Sequence, residues 1–372
     1  MSAHFTLHAR LIKGCNADCS YCSSWEENPS ARMSPDEYRR SLIFIRDNIL
    51  PQITRDWSKA TLTIQYVGGE ILLIPAKELR ESVFAAREIF YPVFAEVVDG
   101  VQSNLVASER RVKELDLVFS GRIGTSVDGR GTQRTVRGSA DAYRKISTRS
   151  METIAKRRRR KPGAIFVVDN QGLVNLPFEM DEASRQGYSL VLRPVFQGGS
   201  DISSASIPAL VAGFSEAFDQ WVMRSRVTVE PFTHLLSKRL FAQSSIGSVC
   251  PFQRNCADVS LDLEPDGTLY TCLDMADSGQ MPFGNALAGT FDHLAWSQLR
   301  ARMSEVDPRC RSCPFFGACQ GGCMSEALHH TGSIYGRSDL CAVWTALFKR
   351  IDAVAETHGR DAVGQWLQGL GQ

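Results

Sequence analysis

Residues 14–22 read Gly14-Cys15-Asn16-Ala17-Asp18-Cys19-Ser20-Tyr21-Cys22, a C-x3-C-x2-C triplet. They follow directly on residues 5–12, a short run with strand character. A cysteine triplet leaving the first strand stands at the C-terminal edge of a sheet, where α/β folds build their sites. Three thiolates can hold three irons of a four-iron cluster and leave the fourth with an open position. They also suit part of a zinc site, so the triplet alone does not decide between the two.

Outward from the triplet, the first half alternates strands with helices. Further strands are expected at 61–67, 93–99, 121–127, 164–169 and 188–195. Ser34 and Glu37 form a capping-box pattern with Pro35 at the first helical position, opening a helix expected to end before Pro51. More helices are expected at 75–90, 108–115, 139–160 with its stop at Pro162-Gly163, 177–186 closed by Gly187, and 207–223. This β-α repeat implies an α/β fold with a parallel sheet and right-handed crossovers, doubly wound or rolled toward a barrel. After Gln197-Gly198-Gly199-Ser200-Asp201 the pattern changes. We place the boundary near residue 235, giving units 1–235 and 236–345, followed by an amphipathic terminal helix in 346–372.

The bulk numbers exclude several classes. With 372 residues, two units are expected; 43% hydrophobic and 22% charged residues are ordinary globular values. A formal charge of +1 offers no global reason to bind nucleic acid. No secretory h-region opens the chain and no apolar run is long enough for a membrane span, so a cytoplasmic location is expected. In that compartment thiols stay reduced, and an odd count of eleven cysteines favours metal binding over disulfides.

Eight of those cysteines lie in the last third. Cys250, Cys256 and Cys272 come first; Cys310, Cys313, Cys319 and Cys323 form a C-x2-C-x5-C-x3-C run, and Cys341 follows after seventeen residues. Polar motifs stand after successive expected strands: Gly68-Gly69-Glu70, Gln102-Ser103-Asn104 and Ser126-Val127-Asp128-Gly129, with Arg137 beyond. In order and position these segments resemble the radical S-adenosylmethionine (AdoMet) superfamily, and the C-terminal cysteine block resembles its SPASM extension.

The resemblance implies a partial (β/α)6 TIM-like barrel followed by a domain that binds two auxiliary 4Fe-4S clusters. Cys15, Cys19 and Cys22 would hold a third 4Fe-4S cluster, which chelates AdoMet. Tyr21 would lie by the adenine; Gly68, Gly69 and Glu70 would receive the ammonium, Ser103 and Asn104 the ribose side, and Ser126 and Arg137 further contacts. Arg137 lacks the His-Asp pair usual beside it in that branch. Auxiliary cluster I would take Cys250, Cys256, Cys272 and Cys323, and auxiliary cluster II Cys310, Cys313, Cys319 and Cys341. A pair of zinc ribbons is the competing reading of this block.

The implied reaction is cleavage of AdoMet to a 5'-deoxyadenosyl radical that abstracts hydrogen from a peptide or protein substrate. Expected outcomes are a crosslink, a thioether or an oxidation in a ribosomal peptide. Electrons would come from a donor such as a flavodoxin or ferredoxin, and any leader would be recognised by the barrel, the auxiliary domain or a separate leader-binding protein. Sulfatase maturation and oxidation of a small metabolite are alternatives, and a zinc-ribbon binding protein is the rival outside enzymes. In sulfatase-maturing members an aspartate base directly follows the third of these cysteines; here Leu273 stands there and Asp274 one residue later, as a candidate base or a turn residue. The basic run Lys156 to Lys161 reads as a solvated helix end or as a contact for an acidic leader.

Overall fold

The computed structural model describes residues 4–22, 29–54, 56–195, 204–242 and 252–371. Cys250 and the Gln197–Asp201 stretch lie outside the described residues. Six parallel strands follow one another in the sheet: β1 (His4–Arg10), β2 (Thr61–Val67), β3 (Glu96–Gln102), β4 (Ile123–Val127), β5 (Gly163–Val168) and β6 (Leu190–Pro194). β7 (Val229–Glu230) adds a short parallel edge to β6. In β1 and β2 buried and half-buried residues alternate, so Phe5, Leu7, Leu62 and Ile64 pack into the core while Thr6, His8, Thr63 and Gln65 take the opposite face. This is a partial barrel, resolving the choice that periodicity left open.

The cysteine-rich half enters the same sheet. β8 (Ser260–Leu263) pairs parallel with β1, from Thr6 opposite Ser260 to Ala9 opposite Leu263. β9 (Thr268–Tyr270), β10 (Gly284–Asn285) and β11 (Thr290–Phe291) extend it antiparallel, giving eleven strands among the described residues. The seam is charged as well as hydrogen-bonded: Glu264, just past β8, takes Arg10 at 3.2 Å and Lys13 at 2.7 Å, all three buried. Both large cores draw on the C-terminal half, with Met275, Trp296 and Met324 in one and Phe315, Trp344 and Phe348 in the other.

Several helices differ from the sequence reading for local reasons. The capping box forms, with Ser34 N–H on Glu37 Oε2 at 2.9 Å and Glu37 N–H on Ser34 Oγ at 3.3 Å. That helix does not stop before Pro51. Pro35–Phe44 passes through a π turn at Ile45–Ile49, where Leu50 N–H reaches Ile45 O, into Leu50–Ile53; the widened turn precedes a residue that has no N–H to give. The helix expected from Pro177 begins at Asn170, because Asp169 caps it by accepting Gly172 N–H at 2.6 Å, and Pro177 lies inside. The terminal helix is two, Cys341–His358 and Arg360–Gln368, parted at Gly359 with φ +79°. Nor is the basic run wholly solvated: Arg157 and Arg158 both bind the buried Asp116 carboxylate at 2.6 Å, pinning Ala140–Arg158 to Glu109–Phe119. Among the described residues no helix is long and apolar enough to cross a membrane.

Candidate functional site

The loop carrying the triplet is fixed first by backbone. Gly69 N–H donates to Ile12 O and Glu70 N–H to Gly14 O, each at 2.9 Å, so the end of β2 zips onto the chain that leads into Cys15. A Cβ on Gly68 would stand 2.3 Å from Ile12 O, and one on Gly69 2.1 Å from the carbonyl oxygens of Lys13 and Gly14. The two glycines are therefore needed for contact between two backbones within the protein.

Glu70 then binds the next strand end. Its buried carboxylate accepts Leu72 N–H at 2.9 Å and Ser103 Oγ–H at 2.7 Å on one oxygen, and Asn104 N–H at 2.7 Å on the other. Burial raises its pKa despite these donors, which favour the ionised form. The Asn104 side-chain amide donates to Asn16 Oδ1 at 2.9 Å and lies 3.6 Å from Cys15 Sγ. Asn16 in turn donates to Val106 O at 2.7 Å. Glu70, Ser103, Asn104 and Cys15 thus form one connected unit. Asn16, inside the triplet, was missed in the sequence because an Asn between cysteines carries no spacing signal.

The fourth strand end reaches the second cysteine through a turn. Ser126 accepts Gln102 Nε2–H at 3.2 Å. Asp128 accepts Arg134 N–H at 3.0 Å, and Arg134 and Thr135 pair antiparallel with Cys19 and Asp18. The buried Arg134 guanidinium lies 3.8 Å from Cys19 Sγ and 5.2 Å from the Tyr21 ring centre. Gly129 takes a left-handed φ of +39°, and a Cβ there would displace the Glu179 carboxylate, whose Oε1 would stand 1.3 Å away. Arg137, in contrast, is exposed at a left-handed corner, φ +52°, and lines a cavity of about 700 Å³ together with Asn16 and Val106. The arginine at the triplet is Arg134, which no linear motif marks.

Burial makes five of the thiols, those of Cys15, Cys19, Cys272, Cys310 and Cys319, resist ionisation. Burial pushes the Cys15 thiol up to about 12, with Glu70, Cys19 and Cys22 adding like charge; Cys19 is also raised by burial, against the nearby Arg134. Cys319 is likewise pushed up to about 12 by burial, with Cys341, Cys310 and Cys313 as its charged neighbours. Cys272 is raised by burial, with Cys323 among its neighbours. Among the described residues, no three His, Cys, Asp or Glu side chains close around a single ion. Charge range joins Cys15 with Cys19 and Cys22, Cys319 with Cys310, Cys313 and Cys341, and Cys272 with Cys323.

Between those sets lies Arg302, 1% exposed, which the sequence reading missed. It donates to the carbonyls of Ile334, Gly336, Gly321 and Gly322, fixing the loop between Cys319 and Cys323, within charge range of Cys323, Cys256, Cys310 and Cys319.

A cavity of about 160 Å³ opens between the ends of β5 and β6 and the C-terminal half. Asp274 and Cys323 line it, and Asp274 is ion-paired with Arg193 of β6. Glu326, Glu230, Asp339, His329 and Trp344 are also in its wall. Its position, beyond the carboxyl ends of parallel strands, is where α/β sheets hold ligands.

No protein-family model matches the chain, and no curated protein matches it in sequence. Solved structures do match in fold. His-tagged anSMEcpe with bound AdoMet, an anaerobic sulfatase-maturating enzyme, aligns at a TM-score of 0.73 and 19% identity, covering 98% of this chain and 98% of that one. Native anSMEcpe with bound AdoMet and the Cp18Cys peptide aligns at 0.70 and 19%, covering 95% and 99%. Streptococcus suis SuiB bound to the precursor peptide SuiA aligns at 0.62 and 14%, covering 92% and 76%. The chain has the partial-barrel fold of the radical AdoMet enzymes, and its C-terminal half continues along the length of these structures.

Proposed function

We propose that this protein is a radical AdoMet enzyme that modifies a peptide or protein. The observation that carries this reading is the convergence of three strand ends on the triplet: Glu70 and Asn104 on the loop of Cys15, and Asp128 through Arg134 on Cys19. Cys15, Cys19 and Cys22 would hold the first 4Fe-4S cluster and AdoMet. Cys256, Cys272 and Cys323, with Cys250, would hold the second, and Cys310, Cys313, Cys319 and Cys341 the third, both within residues 236–345. A 4Fe-4S cluster held by Cys15, Cys19 and Cys22 would supply the one-electron reduction of AdoMet on which hydrogen abstraction from carbon depends.

This chain's residues serve positioning and exclusion of water. Glu70 and Asn104 hold the loop that presents Cys15, and Arg134 places a fixed positive charge on Cys19. The substrate would enter the cavity between β6 and the C-terminal half. Electrons would come from a flavodoxin- or ferredoxin-type carrier. Formylglycine formation is a second reading, favoured by the presence of Asp274 in the cavity wall, although its carboxylate is paired with Arg193.

The test is anaerobic incubation with AdoMet and dithionite. Wild-type protein is expected to release 5'-deoxyadenosine, and the C15A/C19A/C22A variant none; cleavage surviving in that variant contradicts the assignment. Mass spectra of added peptides then separate the readings, since only formylglycine formation turns a Cys or Ser residue into an aldehyde.

A further inference from the structure

The cavity holds more acid than its own cations offset. Arg193 is paired with Asp274. Among the described residues, the other three carboxyl groups in the wall meet uncharged donors: Glu326 the Ser338 hydroxyl, Glu230 the His234 backbone N–H at 3.1 Å, and Asp339 the Leu340 N–H at 2.9 Å. His329 adds little positive charge at neutral pH, because burial lowers its pKa. Burial makes a carboxyl costly to ionise: it pushes Glu326 up to about 8, against the attraction of Arg193, and Glu230 up to about 7. A cation entering the cavity would remove that cost.

A second feature of the wall calls for a different partner. Trp344 is only 3% exposed and, among the described residues, its indole N–H has no acceptor, whereas buried tryptophan N–H groups ordinarily find one. A ligand must therefore bring an acceptor as well as a positive charge. Val168, Val191, Leu210 and Leu340 line the same space and suit an aliphatic stem. At about 160 Å³ the cavity is smaller than the roughly 300–1,000 Å³ typical of small-molecule pockets, so it accommodates one side chain.

We propose that this cavity takes a lysine or arginine side chain of the peptide substrate, its cation against Glu326 and an adjoining peptide carbonyl on Trp344 Nε1–H. The inference rests on the peptide-modifying reading above and names the residue class which that site selects.

The test uses N-acetyl-N'-methylamides of lysine, arginine, norleucine and glutamate, titrated calorimetrically into anaerobically purified holoprotein. The lysine or the arginine probe is expected to bind about tenfold more tightly than norleucine, with glutamate weakest. E326Q should abolish the preference for the cationic probe over norleucine, and W344F should weaken both. Equal binding of cationic and neutral probes, or no saturable binding of either cationic probe, overturns the proposal, and the wild-type comparison decides even if a variant fails to fold. Binding needs no AdoMet cleavage, so a cation preference in protein that does not cleave AdoMet would keep the cavity assignment while rejecting the enzyme, and cleavage without the preference would do the reverse.

Discussion

The backbone N–H of Asn104 donates to Glu70 Oε2 at 2.7 Å, so the residue that ends the β2 motif holds the residue that ends the β3 motif. Because Asn104 also contacts Cys15, the carboxylate sets the position of the first thiol.

Glu70→Gln tests that relationship. All the groups around the carboxylate are donors, so an amide NH2 must face one of the buried N–H groups. We expect a loss of about 1–3 kcal/mol in urea denaturation. An unchanged midpoint would show that the three hydrogen bonds do not hold the loop.

Gly69→Ala should displace the triplet loop, since its Cβ would meet two carbonyl oxygens at 2.1 Å. The readout is iron bound per chain after anaerobic reconstitution, expected to fall by roughly a third, one cluster of three. Gly163→Ala is the control: its Cβ would find only ordinary contacts at 3.7 Å, and iron content should not change.

Glu179 should make stability depend on pH. Burial, with Asp128 nearby, holds its carboxyl up at about 7 against an ordinary 4.5, so between those values the folded protein keeps a proton that the unfolded chain releases. That contribution is fully present below pH 4.5 and is lost as pH rises through 7. Relative to Glu179→Gln, the wild type should lose roughly 3 kcal/mol of unfolding free energy between pH 4.5 and pH 8. Parallel pH profiles for the two proteins would exclude the effect.

Arg302→Lys preserves the charge but not the guanidinium fork that spans four carbonyls. A cost of about 1–3 kcal/mol is expected in denaturation of the apoprotein, from carbonyls left without donors. A lysine variant as stable as the wild type would mean that the loop between Cys319 and Cys323 is held by other contacts.

What was legible in the sequence follows the range of the forces involved. β2 was read residue for residue, because alternation over seven positions is a local signal. The strand-end motifs were recognisable, yet Gly68 and Gly69 serve a backbone contact that only the β1–β2 pairing creates. Pro177 misled because a proline marks a helix start only when no better cap precedes it, and Asp169 does. β8 escaped notice: four residues suffice once β1 offers a parallel edge, and nothing within those four announces a partner 250 residues away. Arg134, Arg302 and Glu326 were missed for the same reason, since their roles depend on what the fold brings beside them.

We propose that the eleven cysteines divide three, four and four among iron-sulfur clusters. Metal and acid-labile sulfide analysis of anaerobically purified protein tests it most directly. The wild type should carry about twelve irons per chain and C15A/C19A/C22A about eight. Colourless protein with about two zincs per chain and no sulfide would contradict it.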